Sequence, residues 1–532
     1  MSRNLRFPLP WLTAAVLMLS ACIGPGTPQP TAGGPVPQGD GTRVDPSTSE
    51  QSRPDRQRLP EPVATPSSRR SPEEKRQGDE GHLRVVDKYG GIYDNPRLTA
   101  YVNELGRRLV RVSEQPAERW TFTVLDSPTV NAFALPGGYI YITRGLVALA
   151  NSEAELAGVI GHEIGHVTAG HASLRGARAT IANSAVLGAQ IFGAILGLDP
   201  ALMEIGTAAS QVLAGGVLAD YSRSDEIEAD RLGIRYLARA GYDPYAQADF
   251  LESMAASAGL DARMRGRVYN PNTTDFLASH PATGPRTRQA IREAQRAGER
   301  IPIGAARNRT RFLREIDGTV YGDSEKQGFV LGRTFSHPVL GLTFTVPDGF
   351  RILNSNSAVT AVGPDRARLV LDSGRDDGAS LTDYIRRRWV PEIGRTNTVG
   401  RLSAVTPRTI NGLEAAVGRA PIAVDGTDYD ALLVALRLDG ALYRLTGLSP
   451  VGTSHANAIE RAAETFRRLR PDERAGLRER RVVVETVQPG ATVAGFAARM
   501  ADPMFAEERF RVLNDLGPRG QPVAGSAVKI IR

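Results

Sequence analysis

Residues 162–166 read His-Glu-Ile-Gly-His, and no other stretch constrains the fold as tightly. On a helix, His162 and His166 stand one turn apart on the same face. That spacing lets two imidazoles bind one zinc ion. Glu163 then lies beside the metal, where it can take a proton from an attacking water. A catalytic zinc needs three protein ligands and one open position, so a third ligand must reach the motif helix from elsewhere in the chain. The pattern points to peptide-bond hydrolysis.

The N-terminal residues predict export. Arg3 and Arg6 precede an apolar run from Trp11 to Leu19, shorter than the about 20 residues of a membrane anchor. Residues 1–21 therefore read as a signal peptide. Leu19-Ser20-Ala21-Cys22 resembles the lipobox of bacterial lipoproteins. That resemblance implies lipidation at Cys22 and a periplasmic enzyme held by its lipid. Ile23 is not the aspartate that retains enteric lipoproteins at the inner membrane, so the outer membrane is the expected address. Cys22 is the only cysteine, which excludes an intramolecular disulfide. Between Gly24 and Gly78 the chain is rich in Pro, Gly, Ser, Thr, Gln and Arg and has no aromatic residue. Residues 22–78 are expected to be a disordered tether. The net charge of +7 is modest for 532 residues, and no basic stretch is interleaved with aromatics. No nucleic-acid site is read on that ground.

From residue 79 the periodicity changes. Leu98, Tyr101, Val102, Leu105, Leu109 and Val112 share one helical face. Trp120 to Leu125 alternates as a strand, and Phe133 to Thr143 reads as strand, Pro136-Gly137-Gly138 turn, strand. Helices are predicted at 145–150, 153–173, 224–240, 244–258 and 284–297. Thr180 to Leu198 is uncharged and about as long as a membrane span, but Gly188, Gly193, Gly197 and several polar residues favour helices packed on the core.

The third ligand is sought in Ser222-Arg223-Ser224-Asp225-Glu226-Ile227-Glu228-Ala229-Asp230, about 60 residues past His166. Together with the first motif, this segment resembles the zinc metallopeptidase family of the CAAX prenyl endopeptidases and HtpX-type proteases, in particular its soluble periplasmic branch. The resemblance covers residues 79–300. It implies one zinc per chain held by His162, His166 and Glu226, with Glu163 as general base. Asp230, one turn after Glu226 on the same face, suits a hydrogen bond to a ligand imidazole. Glu228 points elsewhere and reads as a surface carboxylate. The metzincin pattern fails here. Ala169 replaces its glycine and Ala172 its last histidine, so His171 falls one position short and takes a supporting role. Asn131, Ala132 and Phe133 resemble the family's strand that pairs with an extended substrate backbone. His280 and Arg286, six apart, match a His and an Arg that lie near the zinc and the substrate carbonyl. His280 could stabilise an oxyanion or plug the open zinc position.

Downstream, residues 301–332 read as a polar connector. Residues 333–470 contain Asn411-Gly412, Asp425-Gly426 and Asp439-Gly440, each a tight-hairpin signal. The predicted meander at 413–424, 429–438 and 441–448, with a helix at 455–469, resembles a PsbP-like α/β sandwich. Residues 481–532 resemble a LysM module of strand, two helices and strand, which implies peptidoglycan as a further partner. The expected fold class is thus multidomain: a mainly α, zincin-like metallopeptidase domain with a small β-sheet, then an α+β sandwich, then a small βααβ unit. The expected function is a zinc endopeptidase acting on misfolded or mislocalised envelope polypeptides. The alternative is a cell-wall-binding scaffold lipoprotein whose proteolysis is incidental.

Overall fold

The computed structural model describes residues 72–171, 221–264, 280, 284–298 and 305–532, apart from 357, 396, 425 and 426. Cys22, the signal peptide, the Thr180–Leu198 segment and the Asp425-Gly426 turn lie outside the described residues. Among the described residues no helix is long and apolar enough to cross a membrane. A mainly helical first region is followed by a sheet-rich one.

The first region is built on a three-stranded sheet of β1 (Thr121–Leu125), β2 (Ala132–Leu135) and β3 (Tyr139–Thr143). The order is β1-β3-β2, with β1 parallel and β2 antiparallel to β3, so β2 is an edge strand. Alternation sorts the side chains onto two faces. Phe122, Val124, Ala132, Ala134, Ile140 and Ile142 join the main core. There they meet α2 (Pro96–Val110) and the motif helix α4 (Glu153–Thr168). Leu125, Phe133, Leu135, Tyr139 and Tyr141 face the other way, onto Val85 of α1 (Pro72–Lys88).

Helix α1 moves the expected boundary of the tether, because residues 72–78 are helical. Pro72 stands at its first position, with Glu73 and Glu74 in the first turn and Lys88 in the last, the charge order that a helix dipole favours. Gly78 is the contact point. A Cβ there would lie 2.3 Å from the Pro136 carbonyl oxygen. Tyr139 donates a hydrogen bond to Asp79 beside it. Composition hid this, since the helix is polar on all but one narrow face.

Helix α4 starts on Ser152, whose hydroxyl accepts from the Glu155 amide at 3.2 Å, while Glu155 accepts from the Asn151 amide at 2.8 Å. It ends at Thr168, short of the expected 173. Gly170 at φ +69° stops it, a conformation that costs glycine little. Its partner is α5 (Arg223–Arg239), capped by Ser222 and Asp225 in a reciprocal capping box. The two helices touch through glycine. A Cβ on Gly161 would lie 3.2 Å from Gly233 Cα, one on Gly233 would lie 2.9 Å from the His162 amide nitrogen, and one on Gly165 would lie 3.1 Å from the Ala229 carbonyl oxygen. This close approach carries the α5 carboxylates to the α4 imidazoles. Helices α6 (Ala246–Met264) and α7 (Gly284–Gly298) complete the region.

Residues 301–332 are more than a connector. They include α8 (Arg309–Ile316), whose Phe312, Leu313 and Ile316 enter the main core, and strand β4 (Val320–Tyr321). The first of these side chains recur at helical spacing, but the surrounding charge masks them in the sequence. The sheet-rich region follows. Leu413–Val424, Thr427–Leu438 and Ala441–Pro450 form an antiparallel meander. Asn411, Gly412, Asp439 and Gly440 all take positive φ, as tight hairpin turns require. The covering helix runs from Ala456 to Glu464 and stops before the expected 469, because Arg467–Arg468 pairs with Leu342–Thr345 instead.

The C-terminal elements run strand (Arg480–Thr486), helix (Val493–Ala497), helix (Ala506–Leu513), strand (Ala527–Ile531). They do not form a free-standing lobe. Arg480–Thr486 pairs with β4, and Phe496, Phe510, Ile530 and Ile531 share the main core with α4. Two buried cations fasten the joint at opposite ends of α3 (Arg144–Leu149), the short helix before the motif helix. Arg144 binds Asp126 at 2.7 Å and donates to the Val320 carbonyl at 3.1 Å. Lys529 donates to the carbonyls of Ala148, Leu149 and Ala150 at 2.9, 2.9 and 2.6 Å.

Candidate metal centre

Four buried donors converge: two on α4, one on α5, and His280, four residues before the start of α7. His162, His166, Glu226 and His280 each offer one ligand atom, and these atoms all lie within 4.8 Å of one another. The Nε2 atoms of His162 and His166 are 3.0 Å apart. Glu226 Oε2 lies 3.6 Å from His162 Nε2, and Oε1 lies 3.4 Å from His166 Nε2. Zinc–nitrogen bonds of 2.0–2.1 Å in a tetrahedron set ligand atoms about 3.3 Å apart, so two imidazoles and this carboxylate fit a zinc ion without rearrangement of the helices. Zinc is the metal this donor set suits.

Each imidazole is oriented from its far side. His162 turns Nδ1 to Asp230 Oδ1 at 2.9 Å, and His166 turns Nδ1 to His171 Nδ1 at 2.9 Å. The kink at Gly170 makes the second contact, since residues five apart on an unbroken helix do not face each other. His171 Nε2 in turn lies 3.4 Å from Glu228, a partly exposed carboxylate away from the donor cluster. Gln247 donates to Asp230 at 2.9 Å.

Arg286 stands beside the donor cluster, against Glu226 and the ring of His162. It projects from the first turn of α7 into the α4–α5 joint, where Nε lies 2.5 Å from Asp230 Oδ2 and Nη1 lies 2.6 Å from Glu226 Oε2. Two buried carboxylates draw the guanidinium inward and hold it there.

Electrostatics keep the carboxylates charged. Burial alone would raise Glu226, but Arg286 first, then His280 and His166, outweigh it and hold the carboxyl well below its ordinary value. Asp230 is likewise opposed by burial and pulled down to about 2, by Arg286 and then His162. Burial pushes His166 well below its ordinary value, against the pull of Glu226. Neutral imidazole and ionised carboxylate are the forms that ligate metal. His280 is raised: burial lowers it, and Glu226 and Glu163 together win.

Glu163 is buried beside the cluster, with Oε1 3.5 Å from His280 Nε2 and Oε2 without a hydrogen-bond partner among the described residues. An orphaned carboxylate oxygen aimed into a buried site is costly unless a ligand or reacting water meets it. His280 Nδ1 lies 2.8 Å from Glu226 Oε1 and 3.2 Å from His162 Nε2. Ala132 and Phe133 lie on the edge strand β2, with Asn131 just before it, and β2 packs against α4. Sequence reasoning missed Tyr221, whose ring stacks on His166 with centroids 3.6 Å apart. It also missed Gln247. Tyr221 could have been noticed as the aromatic residue before the Ser222 cap; Gln247 sends no such signal.

Residues 96–294 match the model of peptidase family M48. The chain is 34% identical over 208 residues to the beta-barrel assembly-enhancing protease of Yersinia pestis, covering 38% of this chain and 40% of that protein. It is 29% identical over 218 residues to the mitochondrial metalloendopeptidase OMA1 of Schizosaccharomyces pombe, covering 41% of this chain and 59% of that protein. The chain thus spans well under half the length of the bacterial relative. The solution structure of cyanobacterial PsbP from Synechocystis sp. PCC 6803 overlaps 26% of this chain and 98% of that chain, at 14% identity and a TM-score of 0.22.

Proposed function

We propose, from the match of residues 96–294 to the model of peptidase family M48, that the protein is a zinc-dependent endopeptidase that cleaves unfolded or misassembled cell-envelope polypeptides. The observation that carries this reading is the convergence of His162 Nε2, His166 Nε2 and the Glu226 carboxylate beside the unpartnered Glu163 Oε2. In it, His162, His166 and Glu226 hold the zinc. When bound, zinc supplies Lewis-acid polarisation of the scissile carbonyl. Glu163 takes a proton from the attacking water and delivers it to the leaving amine. Asp230 and Arg286 hold the ligands in place, and His171 fixes the ring of His166. An extended substrate adds to the free edge of β2 at Asn131, Ala132 and Phe133. This mode reads backbone more than sequence and so suits unfolded chains. The lipobox-like tetrad supports a lipid anchor at Cys22 facing the periplasm, with the outer membrane as the favoured site. The name of the Yersinia relative supports assembling β-barrel proteins as one substrate class.

His280 takes the role of plug in this reading, because its Nδ1 sits among the ligand atoms at 2.8 and 3.2 Å. The purified chain is expected to cleave casein in a zinc-dependent way, and His280→Ala to cleave it faster. A loss of about 10²-fold in the variant would assign His280 to oxyanion stabilisation instead. Absence of cleavage by either protein, both zinc-loaded, would remove the endopeptidase reading.

A further inference from the structure

We propose that Tyr221 is a positioning residue of the metal centre, whose ring holds the face of His166 and thereby sets how tightly the site retains its metal. The proposal rests on the reading of His162, His166 and Glu226 as ligands.

The two ligand imidazoles are held by the same plan. His162 has an in-plane partner, Asp230 at Nδ1, and a partner over its face: Arg286 Nη2 lies 3.4 Å from both ring nitrogens. His166 has an in-plane partner, His171 at Nδ1. Its face partner is Tyr221, nearly parallel at 24° and 3.6 Å between centroids. The other rings around His166 meet it obliquely: His162 at 81°, His171 at 71° and His280 at 55°. Only Tyr221, among the described residues, stacks flat on it. In-plane hydrogen bonds alone leave an imidazole free to rock about the axis through its nitrogens, and a flat cover removes that freedom.

The position of Tyr221 in the chain gives the contact its leverage. It immediately precedes Ser222, the N-cap of α5, and the capping box fixes the backbone there. Five residues on stands Glu226. One rigid helix start therefore delivers both a carboxylate ligand and the ring that orients a second ligand. The same ring leans on His280, with centroids 5.3 Å apart, and lies 6.0 Å from His171. It thus lies beside three imidazoles, those of His166, His280 and His171. Stacking, not the hydroxyl, is the proposed device.

The test compares Tyr221→Phe, Tyr221→Leu and Tyr221→Ala by zinc competition with a chromophoric chelator, and by the visible spectrum after cobalt(II) substitution. Tyr221→Phe keeps a flat ring and should match the wild type within about twofold. Tyr221→Ala and Tyr221→Leu should retain zinc at least about 10-fold more weakly, the usual effect of removing a group that orients a ligand. Their cobalt ligand-field bands should shift as well. Tyr221→Leu keeps apolar cover, so it decides the matter if the alanine variant does not fold. Wild-type affinity and an unshifted spectrum in Tyr221→Leu would overturn the proposal, as would a loss in Tyr221→Phe equal to that in Tyr221→Leu. Wild-type protein that binds no zinc would instead overturn the ligand assignment on which the proposal rests.

Discussion

Glu163→Gln is expected to keep its zinc and lose at least about 10²-fold in turnover, the scale on which a positioned general base acts. The substitution preserves the shape of a buried side chain: Glu163 is 1% exposed, on a helix whose neighbouring residues are buried as well. It replaces a proton acceptor by an amide that cannot take up the water proton. None of the three proposed ligands is altered, so metal content should stay at the wild-type level. The measurement is the steady-state kcat on an unfolded substrate, with zinc determined in the same preparation. Equal turnover in a pure, zinc-loaded variant would mean that the base lies elsewhere, and His280, 3.5 Å from Glu163, would be the next group to test.

Lys529→Met should destabilise the protein by about 1–3 kcal/mol, the cost of leaving buried acceptors without a donor. The ammonium is fully buried and meets three carbonyls at the end of α3. Burial pulls Lys529 well below its ordinary value, Arg309 pushes the same way, and Glu155 and Asp515 oppose them. Burial also raises Glu155, to about 7. Methionine fills the volume but leaves three acceptors unmet at the corner between α3 and α4, where Asn151 and Ser152 begin the motif helix. Arg532→Met, three residues on, is the control. Its ion pair with Glu485 is half exposed and should contribute under about 1 kcal/mol. Urea unfolding should show a large fall in midpoint for the first variant and almost none for the second. Equal midpoints would contradict the reading of the last strand as part of the same core as the motif helix.

The contrast between these residues shows what could be read from the chain. His162, Glu163 and His166 were legible because their pattern is local, a helical spacing on α4; Glu226 was reached through the resemblance of its segment to a family motif, and the glycines that bring α5 against α4 went unread. The hairpins at Asn411-Gly412 and Asp439-Gly440 were legible for a similar reason, since a two-residue turn dictates its own backbone. Lys529 was not. In Val528-Lys529-Ile530-Ile531 a lysine reads as the solvent side of an alternating strand, yet both faces of that strand are buried. Covering one face takes helices some 380 residues earlier in the chain, which no local pattern records. The helix at Arg309–Ile316 was lost because flanking charges mask its apolar face, and the inward turn of Arg286 follows from two carboxylates that only the fold brings together. His171 lies between: its spacing excluded one ligand scheme, but its contact with His166 depends on a glycine kink.

Zinc content tests the central claim most directly. Purified protein, mildly dialysed, should carry roughly one zinc per chain by elemental analysis, and the His162→Ala/His166→Ala double variant should carry almost none while remaining folded. Full zinc retention in the double variant would contradict the account.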